Sequence, residues 1–155
     1  MAGKLLAVFI MLLVAPLPAC AQVTCGVSSA GVSFGPYAGS SHVPDDATGS
    51  ITVSCTAHST TAVAYSIALL GTGGSGSART MRFGGERLTY QLYSDPTHTE
   101  IWGNGAGGTR VVSFSTTVPV GHTDVQNFTV YGRIPAGQKP APGAYEDEVG
   151  IAVVY

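Results

Sequence analysis

Charge is scarce in this chain. Of 155 residues, 7 are Lys or Arg and 9 are Asp or Glu, giving a net charge of −2 and a charged fraction of 10%. No basic run occurs anywhere. Such a chain lacks the electrostatic footprint that nucleic acid or an anionic membrane would require of a partner. A convincing helical period is also missing after the first two dozen residues. Instead, 21 Gly, 9 Pro and many Ser, Thr and Val point to an all-β protein with frequent turns.

Catalytic signatures are missing as well. His42, His58, His98 and His122 are scattered, with no pair at metal-ligand spacing, and read as loop histidines. No G-x-S-x-G elbow is present for a nucleophile. The glycine-rich stretch at Gly71 is not followed by Gly-Lys-Ser/Thr, so it reads as a hairpin connection, not a phosphate loop. The expectation is no catalytic residue, no metal and no cofactor.

The longest apolar run, Leu5 to Val14, is too short to span a bilayer. Lys4 precedes it, Pro16 and Pro18 break it, and Ala19-Cys20-Ala21 follows. This is the pattern of a cleaved export signal. Residues 1–21 are therefore expected to be a signal peptide and 22–155 a single domain. A second reading treats Leu17 to Cys20 as a lipoprotein processing box with Cys20 lipidated. Cleavage after Ala21 removes Cys20 and leaves Cys25 and Cys55. An even pair in an exported chain suggests a disulfide.

About seven strands follow, separated by turn signals at the spacing of a β-sandwich. They are read at 25–34, 49–56, 62–70, 87–93, 110–118, 126–134 and from 144 onward, with a short piece around Trp102. Residues 40–48 read as a polar loop and 71–78 as a flexible turn. In the last stretch Val149, Ile151, Val153 and Tyr155 alternate with Glu148, Gly150, Ala152 and Val154. A period of two marks a strand with one buried face. No turn or charged residue follows Tyr155, so this strand either pairs within its own sheet or borders an open edge that invites another strand. Just before it, Glu146 and Glu148 read as solvated. Asp147 shares a face with Tyr145 and Val149 and is expected to close a hydrogen bond near the strand's start. Asn127-Phe128-Thr129 matches a glycosylation sequon by pattern only.

Several short motifs occur in a fixed order. Phe34-Gly35-Pro36-Tyr37 follows the first of the paired cysteines, and Gly49-Ser50-Ile51-Thr52-Val53-Ser54-Cys55 carries the second. Leu88-Thr89-Tyr90-Gln91-Leu92-Tyr93-Ser94-Asp95 and Ile101-Trp102-Gly103 come next. Val130-Tyr131-Gly132-Arg133-Ile134-Pro135, Gln138 and Pro142-Gly143-Ala144-Tyr145-Glu146-Asp147 complete the set. Together they resemble the spore coat protein U domain family, which includes subunits of archaic chaperone–usher pili.

The resemblance implies an incomplete immunoglobulin-like β-sandwich lacking its final strand. A periplasmic chaperone would lend that strand first, and a neighbouring pilus subunit would then replace it at the outer-membrane usher. It implies that Cys25 and Cys55 form the family's disulfide and that Trp102 packs inside the domain. It also implies export to the periplasm and then the cell surface. Val149, Ile151, Val153 and Tyr155 are expected to border the donor-strand groove. Only Gln22, Val23 and Thr24 lie between the expected cleavage point and Cys25, a reach of roughly 10 Å. The chain is therefore expected to accept a strand and donate none. Other readings are an adhesive tip subunit that binds a surface or ligand through its loops, and a secreted hydrolase.

Overall fold

The computed structural model describes residues 22–71 and 76–155. The expected signal peptide lies outside the described residues, as do four residues of the expected turn. The described chain is all β, with eight strands: β1 Val23–Ala30, β2 Asp45–Ala57, β3 Thr61–Leu70, β4 Arg79–Phe83, β5 Glu86–Tyr93, β6 Val112–Val118, β7 Thr123–Ile134 and β8 Gly150–Val154. One sheet runs β1-β2-β7-β5-β4 and the other β6-β3-β8. Every strand pairing is antiparallel. The two sheets pack as an immunoglobulin-like sandwich, and the three-stranded sheet ends on β8.

Alternation decides which side chains meet between the sheets. On β2 the inward row is Ile51, Val53, Cys55 and Ala57, and on β3 it is Val63, Tyr65, Ile67 and Leu69; all are buried. Leu88, Tyr90 and Leu92 of β5, Trp102, Val118 of β6, and Val130 and Ile134 of β7 complete the core. At the β1–β2 pairing, Cys25 stands directly opposite Cys55, and the two are joined in a disulfide.

Trp102 is 1% exposed, and its indole N–H donates to the Ile67 carbonyl at 2.9 Å. The ring packs inside the domain and is not available at the surface. A buried indole needs such a partner for its one donor. The short piece around it is a pair of bridges, Tyr93 to Ile101 and Trp102 to Arg110.

Two boundaries differ from the sequence expectation. β2 starts at Asp45, inside the stretch read as a polar loop. Its outward side chains are polar because that face is solvated, and Asp46 takes two hydrogen bonds from Arg133 of β7, at 2.6 and 2.7 Å. β4 was not expected at all. It forms a hairpin with β5 through Gly84 and Gly85, and Gly84 has φ +57°, a conformation that a two-residue hairpin turn demands. The sequence RTMRF is too charged and too short to announce a strand by alternation.

Candidate functional site

Among the described residues β8 pairs with β3 on one side only, from Leu70–Gly150 to Ser66–Val154. Half of its backbone donors and acceptors therefore face away from any strand of its own sheet. Beside that free edge lies a cleft of about 390 Å³. One wall is the end of β1 and the segment after it, Ser29 to Phe34; the other contains Val149 and Ile151. Ile51, Leu69, Leu92 and Val130 form much of the floor. On the inner face of β1, Val27 stands opposite Val53. Val53 is buried, whereas Val27 is 46% exposed. The sandwich is closed over β2 and open over β1.

The four residues expected at the groove do not all share it. Val149 and Ile151 line the cleft. Val153 is partly buried and packs against the core without lining the cleft. Tyr155 is 67% exposed and sits with Val154 at a shallow hollow beside Ala64 and Phe114. Pairing ends at Val154, so Tyr155 has left the sheet and its alternation no longer directs it inward.

The segment before β8 crosses from the larger sheet to the smaller one. Glu146 exchanges two backbone hydrogen bonds with Arg82 of β4, at 2.8 and 3.1 Å, which places this segment along the free side of β4. One residue on, Asp147 accepts from the Tyr90 hydroxyl at 2.6 Å and from the Glu148 N–H at 3.0 Å. The Tyr90 phenol is held well above the ordinary tyrosine range, first by burial and then by its bond to the Asp147 carboxylate. Both effects disfavour phenolate.

Behind Tyr90 lies Arg79, 2% exposed. One guanidinium nitrogen donates to the carbonyls of Leu69 at 3.1 Å and Trp102 at 3.4 Å, while Nε and Nη1 have no hydrogen-bond partner. Burial pulls the Arg79 pKa down, opposed by Tyr90 and Asp147. The arrangement is a buried cation compensated across a tyrosine by a carboxylate. Sequence reasoning missed Arg79 because a single arginine after a glycine-rich turn looks like a surface residue. It also missed the part played by Tyr90, which reads only as one apolar position in β5.

Phe34 completes the first wall. Its ring meets that of Tyr90 edge-on, with centroids 6.1 Å apart. Glu146 and Asp147 also line the cleft, the latter held by the Tyr90 hydroxyl. Among the described residues no group of three His, Cys, Asp or Glu could hold a metal ion. What the cleft offers is apolar surface beside an unpaired strand edge.

The family model of the Spore Coat Protein U domain matches residues 11–152. The chain belongs to that family. Protein U of Myxococcus xanthus is 34% identical over 114 residues, which is 70% of this chain and 59% of that protein's own length. A similar solved fold is the crystal structure of the CsuC–CsuE chaperone–tip adhesion subunit pre-assembly complex from the archaic chaperone–usher Csu pili of Acinetobacter baumannii. The match has a TM-score of 0.53 at 20% identity and covers 86% of this chain and 40% of the solved one. At that identity the likeness is one of fold. The Spore Coat Protein U domain is thus seen here as a sandwich open along one edge.

Proposed function

We propose that this chain is a structural, non-enzymatic subunit of a surface pilus, assembled by the chaperone–usher pathway through donor-strand complementation. The observation that carries the proposal is the free edge of β8 beside an apolar cleft. An extended strand laid there would pair with the backbone of β8 and place alternate side chains over Val149, Ile151 and the floor. Four or five buried apolar side chains at roughly 1.5–3 kcal/mol each would contribute on the order of 10 kcal/mol gross. Ordering the incoming strand offsets part of it. Family membership and the likeness to a chaperone–subunit complex support the proposed partners: a periplasmic chaperone, an outer-membrane usher and neighbouring subunits. On this reading the protein is exported to the periplasm and then carried to the cell surface, with residues 1–21 proposed as the removed signal peptide.

The finer reading is that the subunit accepts a strand and donates none. With cleavage after Ala21, Gln22 alone would precede β1, and Cys25 is tethered to Cys55. A donor arm needs about ten residues of free extended chain. Adding a synthetic extended peptide with alternating apolar residues to the purified protein tests the main proposal. The peptide should raise the melting temperature by many degrees. A peptide that leaves it unchanged would reject donor-strand complementation at this cleft. Homopolymers with the protein's own N-terminus inserted in the next copy would reject the acceptor-only reading and leave the pilus reading standing.

A further inference from the structure

One wall of the cleft is a short run of chain that contains Tyr145, Glu146, Asp147, Val149 and Ile151. It is fastened to both sheets. At Glu146 it exchanges two backbone hydrogen bonds with Arg82 of β4. From Gly150 onward it pairs with β3. Residues 147–149 make the crossing between these two anchors. Packed sheets lie about 10 Å apart, and the four steps from Glu146 to Gly150 reach at most about 14 Å. The crossing has little slack, so a change within it moves the start of β8.

Asp147 is the residue of that crossing whose side chain is held from the larger sheet. Its carboxylate accepts from the Tyr90 hydroxyl at 2.6 Å and from the Glu148 N–H at 3.0 Å. Tyr90 in turn stands directly opposite Arg79 in the β4–β5 register, and Arg79 is buried. A buried guanidinium needs an anion close by, and the Asp147 carboxylate supplies it from the far side of the phenol. The contact therefore joins three places, β4, β5 and the crossing, and depends on charge as well as shape.

We propose that Asp147, through its bond to Tyr90, is a positioning residue for strand acceptance. It fixes where β8 begins, and so holds Val149, Ile151 and the free edge of β8 in the geometry that receives an extended strand. An incoming strand must meet a backbone edge and a row of side-chain sites together, and a slip of one residue exchanges its inward and outward faces. A wall set in advance lowers the ordering cost of binding. The inference rests on the donor-strand reading of the cleft and adds to it the residues that hold the cleft ready.

Uptake of the extended apolar peptide by variants of the purified protein tests this. Tyr90→Phe and Asp147→Asn should each weaken binding about tenfold, as loss of a hydrogen bond to a charged group does. The double variant should bind about as well as the weaker single one, because both changes break one contact. Glu148→Gln, an exposed neighbour outside the cleft lining, should stay within about twofold. Sucrose separates positioning from mere stability. It strengthens burial throughout the fold, so it should restore the melting temperature of Tyr90→Phe without restoring its affinity. Affinity that returns with the melting temperature, losses in the two single variants that add in the double, or equal binding by all variants would overturn the positioning role and leave strand acceptance standing. No uptake by the unaltered protein would overturn both.

Discussion

Gly132 lies directly beneath Phe34. A methyl group added at residue 132 would stand 2.7 Å from the tip of the Phe34 ring and 2.7 Å from a methyl of Val32. Two motifs almost a hundred residues apart, Phe34-Gly35-Pro36 and Tyr131-Gly132-Arg133, are therefore one contact. The absent side chain on β7 lets the segment after β1 lie across the inner face and form a wall of the cleft. Gly132→Ala should cost about 1–3 kcal/mol by overpacking, read as a lowered denaturation midpoint. It should also weaken uptake of an extended peptide, because Phe34 must move. An unchanged midpoint would mean that this wall is not packed as described.

The Tyr90–Asp147 bond gives a pH signature. Burial holds the phenols of both Tyr90 and Tyr65 above the ordinary tyrosine value of about 10. A phenol whose folded pKa is raised contributes stability that is fully present below pH 10. That contribution is lost as the pH climbs from the unfolded value through the folded one, because the unfolded chain releases its proton first. Denaturation midpoints should hold between pH 7 and 9 and fall above about pH 10. Tyr90→Phe should shallow that alkaline fall while costing about 1–2 kcal/mol at pH 7, since it leaves a partly buried carboxylate acceptor unpaired. An alkaline profile identical in both proteins would show that Tyr90 ionises as freely as an exposed tyrosine.

The disulfide closes a 30-residue separation between β1 and β2. Its removal should cost roughly 3 kcal/mol in the chain-entropy account. The cost should be felt most at β1, which among the described residues pairs on one side only. Hydrogen exchange of a Cys25→Ser/Cys55→Ser variant should accelerate along Val23 to Ala30 before the core strands β2 and β3. Uniform acceleration would contradict a local effect.

Two substitutions on alternate positions of the last stretch separate the cleft from the chain's exposed end. Ile151→Asp places an unpartnered charge on the wall of the cleft, where burying it costs several kcal/mol. It should abolish peptide uptake and recovery with a chaperone. Tyr155→Asp changes a residue that is largely solvated and should leave both within about twofold, as surface changes do. Equal loss in the two variants would show that the groove extends to the end of the chain.

Much of this molecule could be read along the chain. Alternation in β2, β3 and β8 is a local property of side-chain order, so the all-β class and the inward rows followed from it. The motif order carried the family. The even pair of cysteines pointed to a bond that the β1–β2 register makes direct. The tertiary structure alone decided where the rows end and what lies behind them. Tyr155 continues the alternating pattern but not the pairing, and a side chain follows the sheet only while the ladder holds. Arg79 on β4 and Asp147 in the crossing into β8 are charged residues that each find compensation through Tyr90, a long-range contact that no local period encodes. The cleft is likewise a relation between β1 and β8. It exists because one sheet extends past the other, and that is decided by which strands pair.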